Sequence, residues 1–555
     1  MRLRSLLALL TASILSPVTF AHSSADTLLV NADIYGVSNA DSIAIAKGKI
    51  VAIGQQSALA QWQDESTQVI DLDGSFLLPG FIDNHNHVFE AASEAGGQCE
   101  LSLEANAAQQ VPYLKRCQQA GDGKGWLMGY GFSIEALMNN NGQTPLQVID
   151  AVFPKQPVII MEQTSHSMWV NSAALKLAGI DANSKEPAGG KILKDEVTGE
   201  LNGLLLDNAG DLVMELAWNS LEEQFDKSYE GLMNGLYEAK IHGITTIGDG
   251  RLYWKRGWFE VWKEVEKRSD LSARVSLRPW VYPTDSLAAP LPVFEALHRS
   301  DTSKLLLVDQ VKMYSDGILV NGTAKTLAPY LDSYIPDEPY GINYIPQASM
   351  QQWLVALDKI GYGAHIHAIG DGAIRESLDA IEYARKQGSA QEYTLTHVEL
   401  VDSKDVPRFS QLRVSVDFQV GSDYVAFNDH QWAEAFIGAR RAHALMNLRK
   451  IFNTDANVTL SSDWNVHDIN PLVGIANSLI MGETGLPSVA AAIDAYTINA
   501  AKSLGLQDLT GSIEVGKSAD FAVLERNITH LSAEQIKQTQ VWMTILAGEV
   551  VYQAD

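Results

Sequence analysis

Short apolar runs alternate with polar turns over residues 27–76. Residues 42–46 alternate as Ser-Ile-Ala-Ile-Ala, Lys47-Gly48 interrupts, and residues 49–53 resume the apolar pattern. That is the signature of strands joined by a tight turn. Residues 541–552 repeat it around Ala547-Gly548-Glu549. From residue 240 onward, compact apolar runs alternate with amphipathic helical segments. The runs are residues 243–248, 274–281, 308–314, 363–368, 393–398, 413–419 and 458–462, and residues 81–87 supply one more. Strands separated by helices predict a parallel sheet, and eight of them predict a closed barrel. The expected fold class is therefore α/β, a (β/α)8 TIM-like barrel. After His87, about 150 residues pass before the next such run, far beyond the two to six of an ordinary βα loop. Residues 88–232 are therefore expected to form an inserted subdomain, with residues 77–87 as barrel strand 1 and residues 233–508 as the rest of the barrel.

With 555 residues, 46 % of them hydrophobic, the chain is large enough for a deep core and too long for one ordinary domain. A net charge of −26 argues against nucleic acid or an anionic membrane as partner. Residues 1–21 read as a signal peptide, with basic Met1-Arg2-Leu3-Arg4, an apolar stretch, and a small-residue site at Thr19-Phe20-Ala21. The other reading of this segment is an amphipathic N-terminal helix. The apolar part is shorter than the roughly 20 residues of a membrane span. No cysteine follows it, so no lipid anchor is expected, and the protein is expected to be exported, periplasmic or secreted. The only cysteines, Cys99 and Cys117, could pair in such a compartment or remain as two buried thiols.

Functional residues of a barrel gather at the C-terminal ends of its strands. Strand 1 ends in His85-Asn86-His87, where period two aims both imidazoles one way, and imidazole is a common ligand for zinc. Strand 4 carries Lys312, strand 5 carries His365 and His367, strand 6 ends in His397, and Asp463 follows strand 8. Asp249, Asp316 and Asp371 follow strand ends and are expected to orient loops.

Pro79-Gly80-Phe81-Ile82-Asp83-Asn84-His85-Asn86-His87 resembles the "PGFID-x-H-x-H" signature of the amidohydrolase superfamily, metal-dependent hydrolases on a (β/α)8 barrel. The residues from Gly511 to Leu524 resemble that superfamily's "G-x-I-x-x-G-x-x-A-D" segment. The resemblance implies that residues 22–76 and 509–555 join in a small β-sandwich. Gly125 to Phe132 and Ser165 to Leu175 are similar to the insertion of the YtcJ-like branch, amidohydrolase family 3, which includes N-substituted formamide deformylases. That branch has Asp-Gly before the histidine corresponding to His166, where this chain has Thr164-Ser165.

Residue by residue, the resemblance makes His85 and His87 ligands of a buried metal ion, and His367 and His397 ligands of a second. Lys312 becomes a bridging carbamate formed with CO2. Asp463 becomes a ligand that also takes the proton of the nucleophilic water and passes it to the leaving amine. Zinc is the expected metal. His365 is a partner of the ligands or a core histidine, and His166 is a candidate catalytic residue or an ordinary hydrogen-bonded one. The reaction implied is hydrolysis of a non-peptide carbon–nitrogen bond by metal-activated hydroxide. Alternatives are an ester or lactone substrate, or a non-catalytic binding protein, whose ligand set would be broken; here all six positions are filled. Trp126, Tyr130, Trp169, Tyr253, Trp254 and Trp464 fall near the expected mouth, which points to a small apolar or aromatic substrate or else to packing of the insertion.

The mature protein is expected to begin at His22. Intact mass of the protein from its native compartment checks this, and a retained Met1 contradicts it.

Overall fold

The computed structural model describes residues 24–92, 99–139, 142–427 and 429–554. The expected signal segment and its cleavage site lie outside these residues.

Two parallel sheets form the centre. One runs in the order Leu306–Leu307, Arg274–Ser276, Ile244–Asp249, Phe81–Asn86. The other runs Gln310–Tyr314, Gly363–Ala368, Tyr393–His397, Val414–Gln419, Val458–Ser461. These strands are buried throughout, which is why they read as apolar runs rather than alternating ones. Helices such as Trp258–Arg268, Gln347–Asp358 and Asp371–Lys386 connect successive strands, so the protein has an α/β fold.

Hydrogen bonds also link the edges of the two sheets. The Lys312 N–H donates to the Pro279 carbonyl at 3.1 Å, and the Val281 N–H to the Lys312 carbonyl at 2.9 Å. At the other edge, the Asp463 N–H donates to His85 at 2.7 Å and the His87 N–H to Trp464 at 2.9 Å.

Two expected strands are interrupted. Residues 274–281 form a ladder only over Arg274–Ser276, with an isolated bridge from Trp280 to Lys312. Pro279 lies between them and has no N–H to give. Of residues 308–314 only Gln310–Tyr314 forms the strand, because Val308 exchanges hydrogen bonds with Arg299 instead, and Leu306–Leu307 just before it joins the other sheet.

Between Phe81–Asn86 and Ile244–Asp249, the chain builds a separate five-stranded sheet. Its order is Gly190–Lys194, Leu201–Asp207, Ser167–Val170, Val158–Glu162, Leu127–Phe132. One face packs a core around Ile160, Trp169, Leu204 and Leu206, which Ile335 and Ile342 join from the loop after Gln310–Tyr314. Lys191 reinforces that junction, with its Nζ 2.7 Å from Glu186 and 2.9 Å from Asp337. Cys99 and Cys117 form a disulfide.

The two ends of the chain meet. Thr27–Val30, Ser42–Ala46, Lys49–Gly54 and Gln68–Asp71 form one sheet. Asp33–Ile34, Phe76–Pro79, Phe521–Leu524, Val541–Leu546 and Glu549–Gln553 form another. Leu29, Ile43, Ile45, Leu77, Phe521, Val523 and Ile545 share one apolar cluster between them. Both expected hairpins turn on two residues of positive φ, Lys47 and Gly48 at 51° and 72°, Ala547 and Gly548 at 48° and 83°. That is the turn whose twist matches paired strands. Among the described residues, no helix is long and apolar enough to cross a membrane.

The disulfide spans 18 positions, and closing a loop of that size restricts the unfolded chain by about 3 kcal/mol. Cys99→Ser/Cys117→Ser is expected to unfold at lower urea concentration than the parent. An unchanged midpoint contradicts this.

Candidate metal centre

His85 and His87 leave one end of Phe81–Asn86 and meet Asp463. Asp463 Oδ1 lies 3.1 Å from His85 Nε2 and 3.2 Å from His87 Nε2. His397 Nδ1 lies 4.0 Å from Asp463 Oδ2, and the His397 ring is 4.4 Å, centre to centre, from His367. Lys312 Nζ is 3.3 Å from His85 Nδ1. All six expected ligands therefore converge. The donor atoms of His85, His87 and Asp463 lie within 4.8 Å of one another, close enough to share one cation.

Burial sets the charges. Desolvation pushes the Lys312 amine and the His85 and His367 imidazoles well below their usual pKa values, and His397 down to about 3. Burial works against the Asp463 carboxylate, but His85 and His87 outweigh it and hold that carboxyl well below its usual range. Burial likewise opposes charge on His87, yet Glu90 and Asp463 raise it to about 9. Lys312, His85, His367 and His397 are thus neutral donors beside one carboxylate, a set that divalent transition metals take, and His87 would have to give up its proton to join them.

His367 gives the clearest sign that the set fits a cation. Its Nε2 lies 3.0 Å from the Gly317 carbonyl, which can only accept, so the proton sits on Nε2. Nδ1 then presents a lone pair, and it is buried without a hydrogen-bond partner, a costly state for a polar atom. His365 differs. It pairs in register with Lys312, one layer below His367, and its Nε2 lies 2.7 Å from His85 Nδ1. His365 thus supports the His85 ring from beneath. Asp417, close to both, is satisfied by Thr459 at 2.6 Å and Ser461 at 2.7 Å.

His166 also reaches the centre. Its Nδ1 lies 2.7 Å from Asp207 Oδ1, and its ring is 5.3 Å from that of His367. The Thr164-Ser165 departure has a structural counterpart here. Ser165 adopts a φ of 63°, a conformation that glycine takes without strain, and Thr164 bonds to the Glu162 carboxylate through its N–H and its hydroxyl.

Sequence reasoning missed Glu90, Arg251, Tyr314 and Asp207. Glu90 Oε2 lies 2.6 Å from His87 Nδ1, and Arg251 donates to Glu90 Oε1 at 3.2 Å and to the Tyr314 hydroxyl at 3.3 Å. Glu90 carried a signal, since it falls three residues after His87 in the first turn of Val88–Ala92. Asp316 orients loops as expected, accepting from Lys325, Ile369 and Gly370, and Asp371 accepts from Leu327. Asp249 does not: it is buried, and desolvation raises it to about 7.

A profile of the amidohydrolase family matches residues 68–552. The chain belongs to the amidohydrolase family. It is 26 % identical to the N-substituted formamide deformylase of Arthrobacter pascens, over 95 % of this chain and 98 % of that one. It is 25 % identical to the putative amidohydrolase YtcJ of Bacillus subtilis, over 92 % and 96 %. An uncharacterized metal-dependent hydrolase from Pyrococcus horikoshii shares the fold, with a TM-score of 0.70 at 20 % identity over 92 % of this chain and 99 % of that one.

In this amidohydrolase the cavity over the centre is lined by His87, Glu90, His166, Arg251, His397 and Asp463, with Tyr314, Thr164, Ser165, Asn465 and Val466. None of the six aromatic residues expected at the mouth lines it. Trp169 and Tyr253 are fully buried in apolar cores, and Trp126, Tyr130, Trp254 and Trp464 pack against such cores. They are packing residues because a large ring excludes water best between layers.

Lys312→Ala is expected to lose bound metal. Metal analysis of the purified variant checks this, and two tightly held ions contradict it.

Proposed function

We propose that this amidohydrolase hydrolyses a non-peptide carbon–nitrogen bond of a small molecule, using two divalent cations, with zinc as the expected ion. The observation that carries the reading is the meeting of His85, His87, Lys312, His367, His397 and Asp463 at one point. The edge hydrogen bonds between the two parallel sheets support reading them as one closed (β/α)8 barrel, with the terminal sheets as a β-sandwich beside it.

In this reading His85, His87 and Asp463 would hold one cation, and His367 and His397 the other, with Lys312 shared between them as a carbamate. The neutral amine would bond through Nζ to the carbon of CO2, one C–O π pair would move onto oxygen to give the anion, and one N–H proton would pass to water. The desolvation that disfavours the ammonium keeps the amine in the form that reacts. When bound, such a pair of cations lowers the pKa of a shared water and polarises the substrate carbonyl. Asp463 accepts the proton of that water, since its carboxyl is held ionised at neutral pH. Glu90 fixes the His87 ring through Nδ1 and leaves Nε2 for the metal, an arrangement that steadies a metal-bound histidine.

The A. pascens relative is named for cleaving N-substituted formamides, which favours an amide over an ester or lactone. Export is part of the proposal, supported by the basic and apolar N-terminal segment and by the disulfide, which persists in oxidising compartments.

The test is a screen of metal-loaded protein against N-substituted formamides, N-acyl amino acids and esters. Turnover of esters alone overturns the amide assignment. On an amide so found, Asp463→Asn is expected to lower kcat roughly 10²–10⁴-fold while some metal remains bound, because an amide oxygen still binds metal but accepts no proton. Near-normal kcat in the fully metallated variant assigns that proton elsewhere.

A further inference from the structure

The cavity over the centre is small. Its free volume is about 20 Å³, little more than the roughly 10–15 Å³ that one water needs on the same measure. Thr164, Ser165 and His166 close one side of it. They form the turn between Val158–Glu162 and Ser167–Val170, so this side belongs to the inserted sheet and not to the parallel strands.

That turn is tied down along its length. At its start the Gln163 N–H donates to the Phe132 carbonyl at 3.0 Å, and the Tyr130 hydroxyl donates to the Gln163 carbonyl at 2.9 Å. In the middle the Thr164 N–H donates to Glu162 Oε2 and the Ser165 N–H to the Glu162 carbonyl, both at 2.9 Å. At its end the Asp207 N–H donates to the His166 carbonyl at 2.7 Å, and the Asn321 amide donates to the Ser167 hydroxyl at 2.9 Å. Tyr130 and Phe132 stand on one neighbouring strand and Asp207 on another, so the turn is gripped from both sides. A wall held in this way has little freedom to recede from a larger group.

Ser165 is the strained member of the turn. Its φ is 63°, a value that a residue with a Cβ rarely adopts and that glycine adopts freely. Such strain persists where the surroundings over-determine it, and it gathers at functional sites. The bonds that hold the turn use the Ser165 N–H and leave its side chain out. What the side chain adds is bulk against the cavity.

We propose that Ser165 sets the size of the substrate this site accepts. The class it selects is an amide with one short, unbranched arm, which lies against the Thr164–Ser165 turn while the other arm leads out of the cavity. The proposal deepens the reading of the protein as an amide hydrolase and rests on it. Ser165 acts by volume alone. In a pocket that cannot adapt, one methylene changes kcat/KM by roughly 10–200-fold.

The experiment uses two series of amides and the zinc-loaded full-length protein. One series keeps the amine and lengthens the acyl group from formyl to butyryl. The other keeps the acyl group and lengthens the nitrogen substituent from methyl to butyl. In the parental protein kcat/KM is expected to fall along one series by roughly tenfold or more per added methylene, and to vary little along the other. Ser165→Gly is expected to raise kcat/KM for the longer members of the limited series roughly tenfold or more, relative to the shortest member. Ser165→Ala, which keeps the Cβ, is expected to leave the limit where it is. Ser165→Asn places a larger side chain that tolerates this φ, and is expected to tighten the limit. Metal content is expected to match the parent in all three variants. No limit in either series, a limit that Ser165→Gly leaves in place, or equal shifts in Ser165→Gly and Ser165→Ala overturns the inference while the amide-hydrolase reading stands. Parental protein that cleaves no amide in either series overturns that reading and this inference together.

Discussion

One carboxylate joins the ends of the parallel sheets to the chemistry they carry. Asp463 uses its backbone N–H to bond the His85 carbonyl, and its side chain to meet His85 and His87. Just before it, Ser462 donates through its N–H at 2.9 Å and its hydroxyl at 2.5 Å to Asp83, on the strand that holds the two histidines. The pairing of the first and last parallel strands and the geometry of the ligands are thus set by the same few bonds. A displacement of either strand removes the alignment and the donor atoms at once.

Charge is arranged around that carboxylate in layers. Beneath it, the guanidinium of Arg278, fully buried, donates to the Asn84 carbonyl at 2.6 Å, to Asn84 Oδ1 at 2.8 Å and to Gln310 Oε1 at 3.0 Å. Beside it stands Arg251, stacked among Tyr253, Trp280 and Tyr314. Burial is the main force against an ammonium on Lys312; Asp463 opposes it most, the two arginines act with burial, and Asp417 acts against it. The two arginines favour an anion there as much as they disfavour a cation, whereas burial disfavours either charge.

The strand-end residues were legible in the sequence because of their surroundings. In strands buried on both faces, an isolated His, Lys or Asp interrupts an otherwise apolar run and stands out. Depth within the sheet was not legible. His365 and His367 share a face by period two, and only the register with Lys312 and Tyr314 separates the supporting layer from the cavity layer. Asp207 and Arg251 escaped notice because their partners lie far off in the chain, at His166 and Glu90, so no local period connects them. The large aromatic residues misled for a related reason, since composition cannot tell a ring at a mouth from one between layers. Pro279 broke a strand that apolarity alone had extended, through a missing donor rather than a missing side chain.

The meeting of the chain ends ties the early strands to the late ones. Phe521–Leu524 lies between Phe76–Pro79 and Val541–Leu546, and the Gly80 N–H donates to the Asp520 carbonyl at 2.9 Å, one residue before the strand that carries His85 and His87 begins. A ribosome makes these segments at opposite ends of its work. A chain that stops short of Phe521 already contains every candidate site residue from His85 to Asp463, yet lacks the strand that pairs with Phe76–Pro79. The pairing that aligns Phe76–Pro79 with the strand after it therefore needs the last part of the chain.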